Sequence, residues 1–369
     1  MRIAGLRYRL AVMVTLGAIV LGSCTACSPG YVMRGAYEQG KILIARRDIQ
    51  KVLADPEVPT DSKEKLAIVL DARDYATRIG LNPGGAFTSF AQVSRDPLAW
   101  VVVASRRDAF ALHTWWFPIV GTVPYKGFFD KADADAQVVE LEQQGYEVSM
   151  RGTEAFSTLG WFDDPVVSTT LKNSPTRIAN TVIHESVHST VWIQGGVAFN
   201  ESLANFVGSE GAVSFFLGRL ESCRAKDEPC ELEAQQLAAA KREYAFQVEL
   251  AEVVDTLYNR LDELYRDPAL SSDEKITRRV GIFAEVMAPL RAKYPSLQIL
   301  KEVNNADIIQ LKLYLSKLWL FHELFVQRDR DWGAFMGVMR EIKRGMDSAE
   351  GGSAKDPFIM LKDIVGTHS

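Results

Sequence analysis

Among the five histidines of this 369-residue chain, two stand four positions apart in His184-Glu185-Ser186-Val187-His188. On an α-helix, positions i and i+4 share one face, one turn apart, so both imidazoles can aim at a single point. Glu185 sits beside them, able to reach a metal-bound water without ligating the metal. A zinc hydrolase needs this arrangement: two neutral nitrogen ligands, a third protein ligand, one open position for water and a nearby base. Glu201, in Phe199-Asn200-Glu201-Ser202-Leu203-Ala204, follows His188 by thirteen residues. That gap lets the chain turn and bring a carboxylate back as third ligand.

The flanking residues predict the element that must hold the histidines. Ser174-Pro175 reads as an N-cap followed by proline at the first helical position. Ile178, Val182, Ile183, Val187 and Val191 form an apolar stripe, and Gly195-Gly196 supplies a stop. The spacing predicts a buried helix of about five turns and a second helix from about Asn200. The competing reading is a helix with two ordinary histidines and a surface glutamate; the helix signals and the downstream Asn-Glu-x-x-Ala weigh against it.

Composition bounds the rest. Formal net charge is −5 and the apolar fraction 47%, ordinary for a soluble globular chain able to bury a sizeable core. The acidic balance argues against a nucleic-acid partner. Residues 1–27 read as a leader outside the fold. Arg2, Arg7 and Arg9 form a basic start, and Leu10 to Leu21 is apolar but short for a transmembrane helix. Leu21-Gly22-Ser23-Cys24 then resembles a bacterial lipobox. It implies lipidation at Cys24, export and a membrane tether, with the domain in an oxidising aqueous compartment. Thr25 points to the outer membrane of the cell envelope, facing the periplasm. The alternative is a plain signal peptide cleaved near Ala26 or Ser28. In such a compartment Cys223 and Cys230 could close a small disulfide loop or stay as free thiols. No obligate protein partner is expected.

Along the chain, residues 28–82 read as a helical segment, with helices over 31–54 and from Thr60 to about Ile79. Residues 83–222 read as the core. Ala99 to Ala104 and Thr114 to Gly121 are β-type runs, Lys131 to Gln144 is an amphipathic helix, and Tyr146 to Met150 alternates as a strand. Together they predict one small mixed sheet ahead of the histidine helix. Residues 223–347 are read as helices at 230–266, 272–292, 305–327 and 331–346. Leu237 to Tyr265 fits either a helical hairpin or one long helix. Residues 348–369 read as a tail. The fold class is α+β and helix-rich; sheet followed by paired helices is by analogy the zincin plan.

Several side chains stay open at this point. Trp115, Trp116 and Phe117 read as strand core more readily than as a groove lining. Tyr125 falls in a turn that nothing in its spacing directs to the site. Asp163 and Asp164 fit equally an orienting or amine-binding role and a solvated Asp-Asp-Pro turn. Asn304-Asn305-Ala306 opens a late helix carrying Tyr314, which spacing alone reads as a core tyrosine.

Five pieces together resemble the bacterial predicted zinc aminopeptidase family, whose members often carry lipoprotein signals. They are Phe117-Pro-Ile-Val-Gly-Thr-Val-Pro-Tyr-Lys-Gly127, Ser157-Thr-Leu-Gly-Trp-Phe-Asp-Asp-Pro165, Ile183-His-Glu-Ser-Val-His188, Phe199-Asn-Glu-Ser-Leu-Ala204 and Asn304-Asn-Ala306. The resemblance implies a gluzincin-like site: His184, His188 and Glu201 as ligands of one zinc ion per chain, Glu185 as base, and a peptide substrate. It also implies pocket places for Tyr125, Asp163, Asp164, Asn304, Asn305 and Tyr314. Of these, Tyr314 is the candidate donor to a developing oxyanion. Relatives often carry cysteines around the Trp-x-Phe-Pro-x-Val-Gly stretch, where this chain has Trp116 and Thr122; no catalytic residue depends on that difference. An aminopeptidase needs a carboxylate for the free α-amine, with Asp163, Asp164 and Glu210 as candidates, and an endopeptidase is the nearest alternative. A lipid-anchored binding protein with a structural zinc would need a fourth protein ligand, and only three can be named.

Overall fold

The computed structural model describes residues 29–117, 121–153, 163–297, 300–348 and 356–366. The leader reading, Cys24 included, lies outside the described residues. The chain is α+β and rich in helix. It opens with α1 (Pro29–Ile44), β1 (Arg47–Asp48), α2 (Ile49–Ala54) and α3 (Thr60–Arg78). The single helix expected over 31–54 divides because the Asp48 carboxylate accepts the amides of Gln50 and Lys51, at 2.9 and 3.3 Å. This caps a new helix instead of continuing the old one.

Next come β2 (Ser89–Ala91), β3 (Ala99–Ser105), β4 (Trp115–Phe117), β5 (Gly121–Val123), β6 (Lys126–Phe128), α4 (Lys131–Gln143), β7 (Glu147–Thr153) and β8 (Val166–Val167). Of the strands expected in one mixed sheet, β3 and β7 lie together in β6-β3-β7 and β4 stands apart in a β4-β5 hairpin; among the described residues a further sheet, β1-β2-β8, joins strands the sequence does not show. Only β1-β2-β8 is mixed, with β2 antiparallel to β1 and parallel to β8. In β6-β3-β7, β3 pairs antiparallel with both neighbours. Its unbroken apolar run is explained by cover on both faces. Val102 and Ala104 belong to a cluster with Ala134 and Leu141 of α4. Val103 points the other way with its partner Ser149, towards α9 (Asn305–Leu315). In the hairpin Trp115 and Phe117 are buried, while Trp116 is 51% exposed.

The remaining helices are α5 (Pro175–His188), α6 (Val197–Arg224), α7 (Glu231–Arg266), α8 (Ser272–Lys293), α10 (Leu318–Gln327), α11 (Trp332–Asp347) and α12 (Pro357–Gly366). The α7 segment is one helix of 36 residues, without a hairpin, and Cys223 and Cys230 are joined in a disulfide just before it. The helix expected over 305–327 breaks at Lys317, whose φ is 50°; Ser316 Oγ meanwhile takes the Lys312 carbonyl at 2.6 Å. Within the stretch read as a tail, α12 buries Phe358, Leu361 and Val365. Its apolar repeat spans too few residues to stand out in sequence. The Phe358 ring meets Phe199 of α6 at 5.1 Å and Phe321 of α10 at 6.1 Å. One apolar cluster thus runs from Ile183 and Val187 of α5 through α6 and α7 to α12. Among the described residues no helix is long and apolar enough to cross a membrane.

Candidate metal centre

Helix α5 starts where Ser174 Oγ accepts the Arg177 amide at 3.2 Å, with Pro175 next. It ends at His188, before the glycine pair that the sequence suggests. The hydroxyls of Ser189 and Thr190 donate to the carbonyls of Glu185 and Ser186 at 3.2 and 2.6 Å, which ends the ladder there. The return to α6 is fixed by Asn200, fully buried. Its Oδ1 accepts the Ile193 amide at 3.0 Å and its Nδ2 donates to the Ile193 carbonyl at 2.8 Å. Glu201 is the next residue, so this clamp sets the carboxylate opposite the histidines.

Close approach of the two helices depends on Gly208. A Cβ there would lie 2.9 Å from Asn180 Oδ1 and 3.1 Å from His184 Cβ, so any side chain would push α6, and Glu201 with it, off α5.

The two Nε2 atoms of His184 and His188 are 3.2 Å apart, and Glu201 Oε2 is 3.5 Å from each. Ligand atoms on about 2 Å bonds in a tetrahedral site are separated by roughly 3.3–3.5 Å, so the triangle fits a metal ion. Among the described residues this trio is the group of side chains that could hold one. Electrostatics follow from crowding. Burial favours neutral Glu201, but hydrogen bonds from His184 and His188 outweigh it and hold its pKa down at about 2. Burial disfavours the His184 cation; the Glu201 and Glu185 carboxylates reverse the sign, and its pKa stands above the ordinary histidine value.

Tyr314 reaches this region from α9. Ser202 Oγ donates to the Leu313 carbonyl at 3.1 Å and Asn205 Nδ2 to the Tyr314 carbonyl at 2.8 Å. Two residues just beyond Glu201 on α6 thereby moor the end of α9. Dense surroundings raise the Tyr314 pKa first, and the charges of Glu201, Glu185 and Tyr125 add to it. The side chain nonetheless keeps 43% exposure. Accessible surface amid dense protein is what a cleft wall offers. Tyr125, 53% exposed, stands close enough to act on the same hydroxyl.

Other candidates fall elsewhere. Asn304 and Asn305 do not face the trio; they fasten the far end of α9. Asn304 donates to the Val148 carbonyl at 3.0 Å. Asn305, fully buried, donates to the Arg106 carbonyl at 2.9 Å and accepts the Tyr265 hydroxyl at 2.9 Å. Their side-chain amides are engaged by protein and give a substrate nothing. Asp164 is buried, and its carbonyl takes the Phe87 amide at 2.9 Å. Asp163 is exposed and packs on Gly85. The loop from Asn82 to Gly85 is tied to the end of α5, where the Asn82 amide reaches Thr190 Oγ1 at 2.8 Å. Glu210 is buried and paired with Arg330 at 3.4 Å; burial pushes its pKa up.

The sequence gives no role to Asn200, Ser202, Asn205 or Gly208. The available signal is polar residues and glycines inside an otherwise apolar helix, since a buried asparagine must be bonded and a mid-helix glycine often marks close packing.

Residues 30–351 match the model of a family described as "Putative aminopeptidase", a span that includes every residue of this centre. No curated protein and no solved structure matches the chain.

Proposed function

The chain belongs to that aminopeptidase family, and from that premise we propose that it is a zinc-dependent peptidase of the zincin kind, acting as an aminopeptidase. The observation that carries the reading is the trio of His184, His188 and Glu201 with Glu185 beside it and Tyr314 in its field. Two imidazoles and a carboxylate suit zinc, one ion per chain. Bound there, zinc would supply a Lewis acid and a water acidified towards pKa about 7.

The chain's own residues do the rest. Glu185 accepts the proton of the attacking water and passes it to the leaving amine. Tyr314 donates its hydroxyl to the carbonyl oxygen as that oxygen gains charge; a raised pKa keeps it protonated, hence a donor, across neutral pH. Asp163 holds the free α-amine. It is the exposed carboxylate of the three, packed on Gly85 of the loop whose Asn82 is tied to Thr190, whereas Asp164 is buried and Glu210 is paired with Arg330. The proposal includes the lipid anchor at Cys24 and an outer-membrane site facing the periplasm.

The test is zinc content and hydrolysis of paired free and N-acetylated peptides by residues 28–369. About one zinc per chain, with cleavage of free peptides only, is the expected result. Cleavage of both classes moves the reading to an endopeptidase. Bound zinc without cleavage across a broad peptide library overturns it.

A further inference from the structure

α5, α6, α7 and the segment after α8 line an open cavity of about 690 Å³ that contains no member of the trio itself. Asn180 and Thr181 line it and lie about one turn before His184, on the same face of α5. Ser209 lines it from α6, two turns beyond Glu201. The cavity therefore lies along the same two helices as the trio, just past the close contact of Gly208 with Asn180 and His184.

One wall is apolar, with Phe246 and Tyr294 edge to face at 4.9 Å and Leu297 beside them. The other is rich in donors. Arg177 and Arg242 stand exposed at its edge, and neither is in an ion pair among the described residues. The one lining carboxylate, Glu243, accepts the hydroxyls of Thr176 and Ser174 at 2.7 and 3.4 Å. Gln247 accepts the Ser209 hydroxyl, which leaves its amide nitrogen buried with no hydrogen bond among the described residues.

We propose that this cavity is the leaving-side subsite and takes the free C-terminal carboxylate of a short peptide; the inference rests on the peptidase reading above. Two guanidinium groups match a carboxylate in charge and geometry, and the aromatic wall suits an apolar last side chain. Arg177 precedes His184 by seven residues, about 10 Å along the helix, or roughly three residues of extended peptide. The preferred substrate is a tri- or tetrapeptide acid.

The experiment is calorimetric titration of the zinc-loaded full chain carrying Glu185→Gln with a tetrapeptide ending in phenylalanine, as free acid and as C-terminal amide. Hydrolysis of both by the unsubstituted chain is followed in parallel. The acid is expected to bind about tenfold more tightly than the amide. Arg177→Glu with Arg242→Glu abolishes that preference and gains one for an amide ending in lysine, a gain that a misfolded protein cannot show. Equal binding of acid and amide, or an acid preference that survives both substitutions, overturns the inference. Acid preference without hydrolysis keeps the subsite and removes the peptidase reading; hydrolysis without acid preference does the reverse.

Discussion

At one end of α9, Asn304, Asn305 and Asp307 meet β7 and the loop after β3; at the other, Tyr314 stands near Glu185, Glu201 and Tyr125. The first cluster is saturated. Asp307 accepts Ser149 Oγ and Arg151, both at 2.6 Å. Glu147 takes Arg279 through both oxygens and also the Asn305 amide. The second cluster is short of outside partners. Three ligand-type atoms lie within 3.5 Å of one another and bond to each other. Buried polar groups are costly unless paired. Saturation marks a joint, and three ligand-type atoms converging on one point mark a place that suits a metal ion.

The sharpest way to break this contrast is Glu185→Gln. If the short cluster does the chemistry, turnover falls on the order of 10³-fold or more while zinc analysed by mass spectrometry stays bound; full activity would sink the mechanism. Tyr314→Phe is next. We expect kcat to fall about 10²-fold with KM little changed, and steady-state kinetics that show only a KM effect would remove Tyr314 as oxyanion donor.

Asn305→Ala probes the saturated joint. It leaves the Tyr265 hydroxyl and the Arg106 carbonyl without their partner, and a stranded buried group costs about 1–3 kcal/mol. Thermal denaturation is expected a few degrees lower, with zinc content unchanged; a lost zinc ion and an unchanged melt would reverse the two roles. The smallest effect belongs to Glu210. Its raised folded pKa means that its contribution is full below the unfolded value of about 4.3 and is lost as pH rises through the folded value. Glu210→Gln should therefore gain melting temperature relative to the parent between pH 4 and pH 7. A difference independent of pH would show that Arg330, His322 and Tyr244 offset the burial in full.

What was legible in the sequence was local. His184 and His188 share one face of one helix with Glu185 beside them, and Glu201 follows after a return short enough to let it reach the same point. Asn304 and Asn305 were not legible, because their partners lie 156 and 199 residues away and only the folded chain shows that their amides are engaged. The end of α5 was misplaced because side-chain hydroxyls ended the helix before the glycines could. The expected sheet divided because β-type runs reveal strands but not their pairing, and the β1-β2-β8 sheet was missed because its strands are only two or three residues long. α12 was hidden because a short apolar repeat gains meaning only from the Phe199 and Phe321 rings it packs against.

Helix α9 is a rod held by the β layer at Asn305 and by α6 at Leu313 and Tyr314. From Asn305 to Tyr314 it measures about 13 Å, so a rotation of roughly 5° about the Asn305 end carries the tyrosine about 1 Å sideways. Misplacement of that size costs on the order of 10²-fold in rate. The β layer, which contributes nothing to the trio, thus shares with α6 the angular tolerance of that tyrosine.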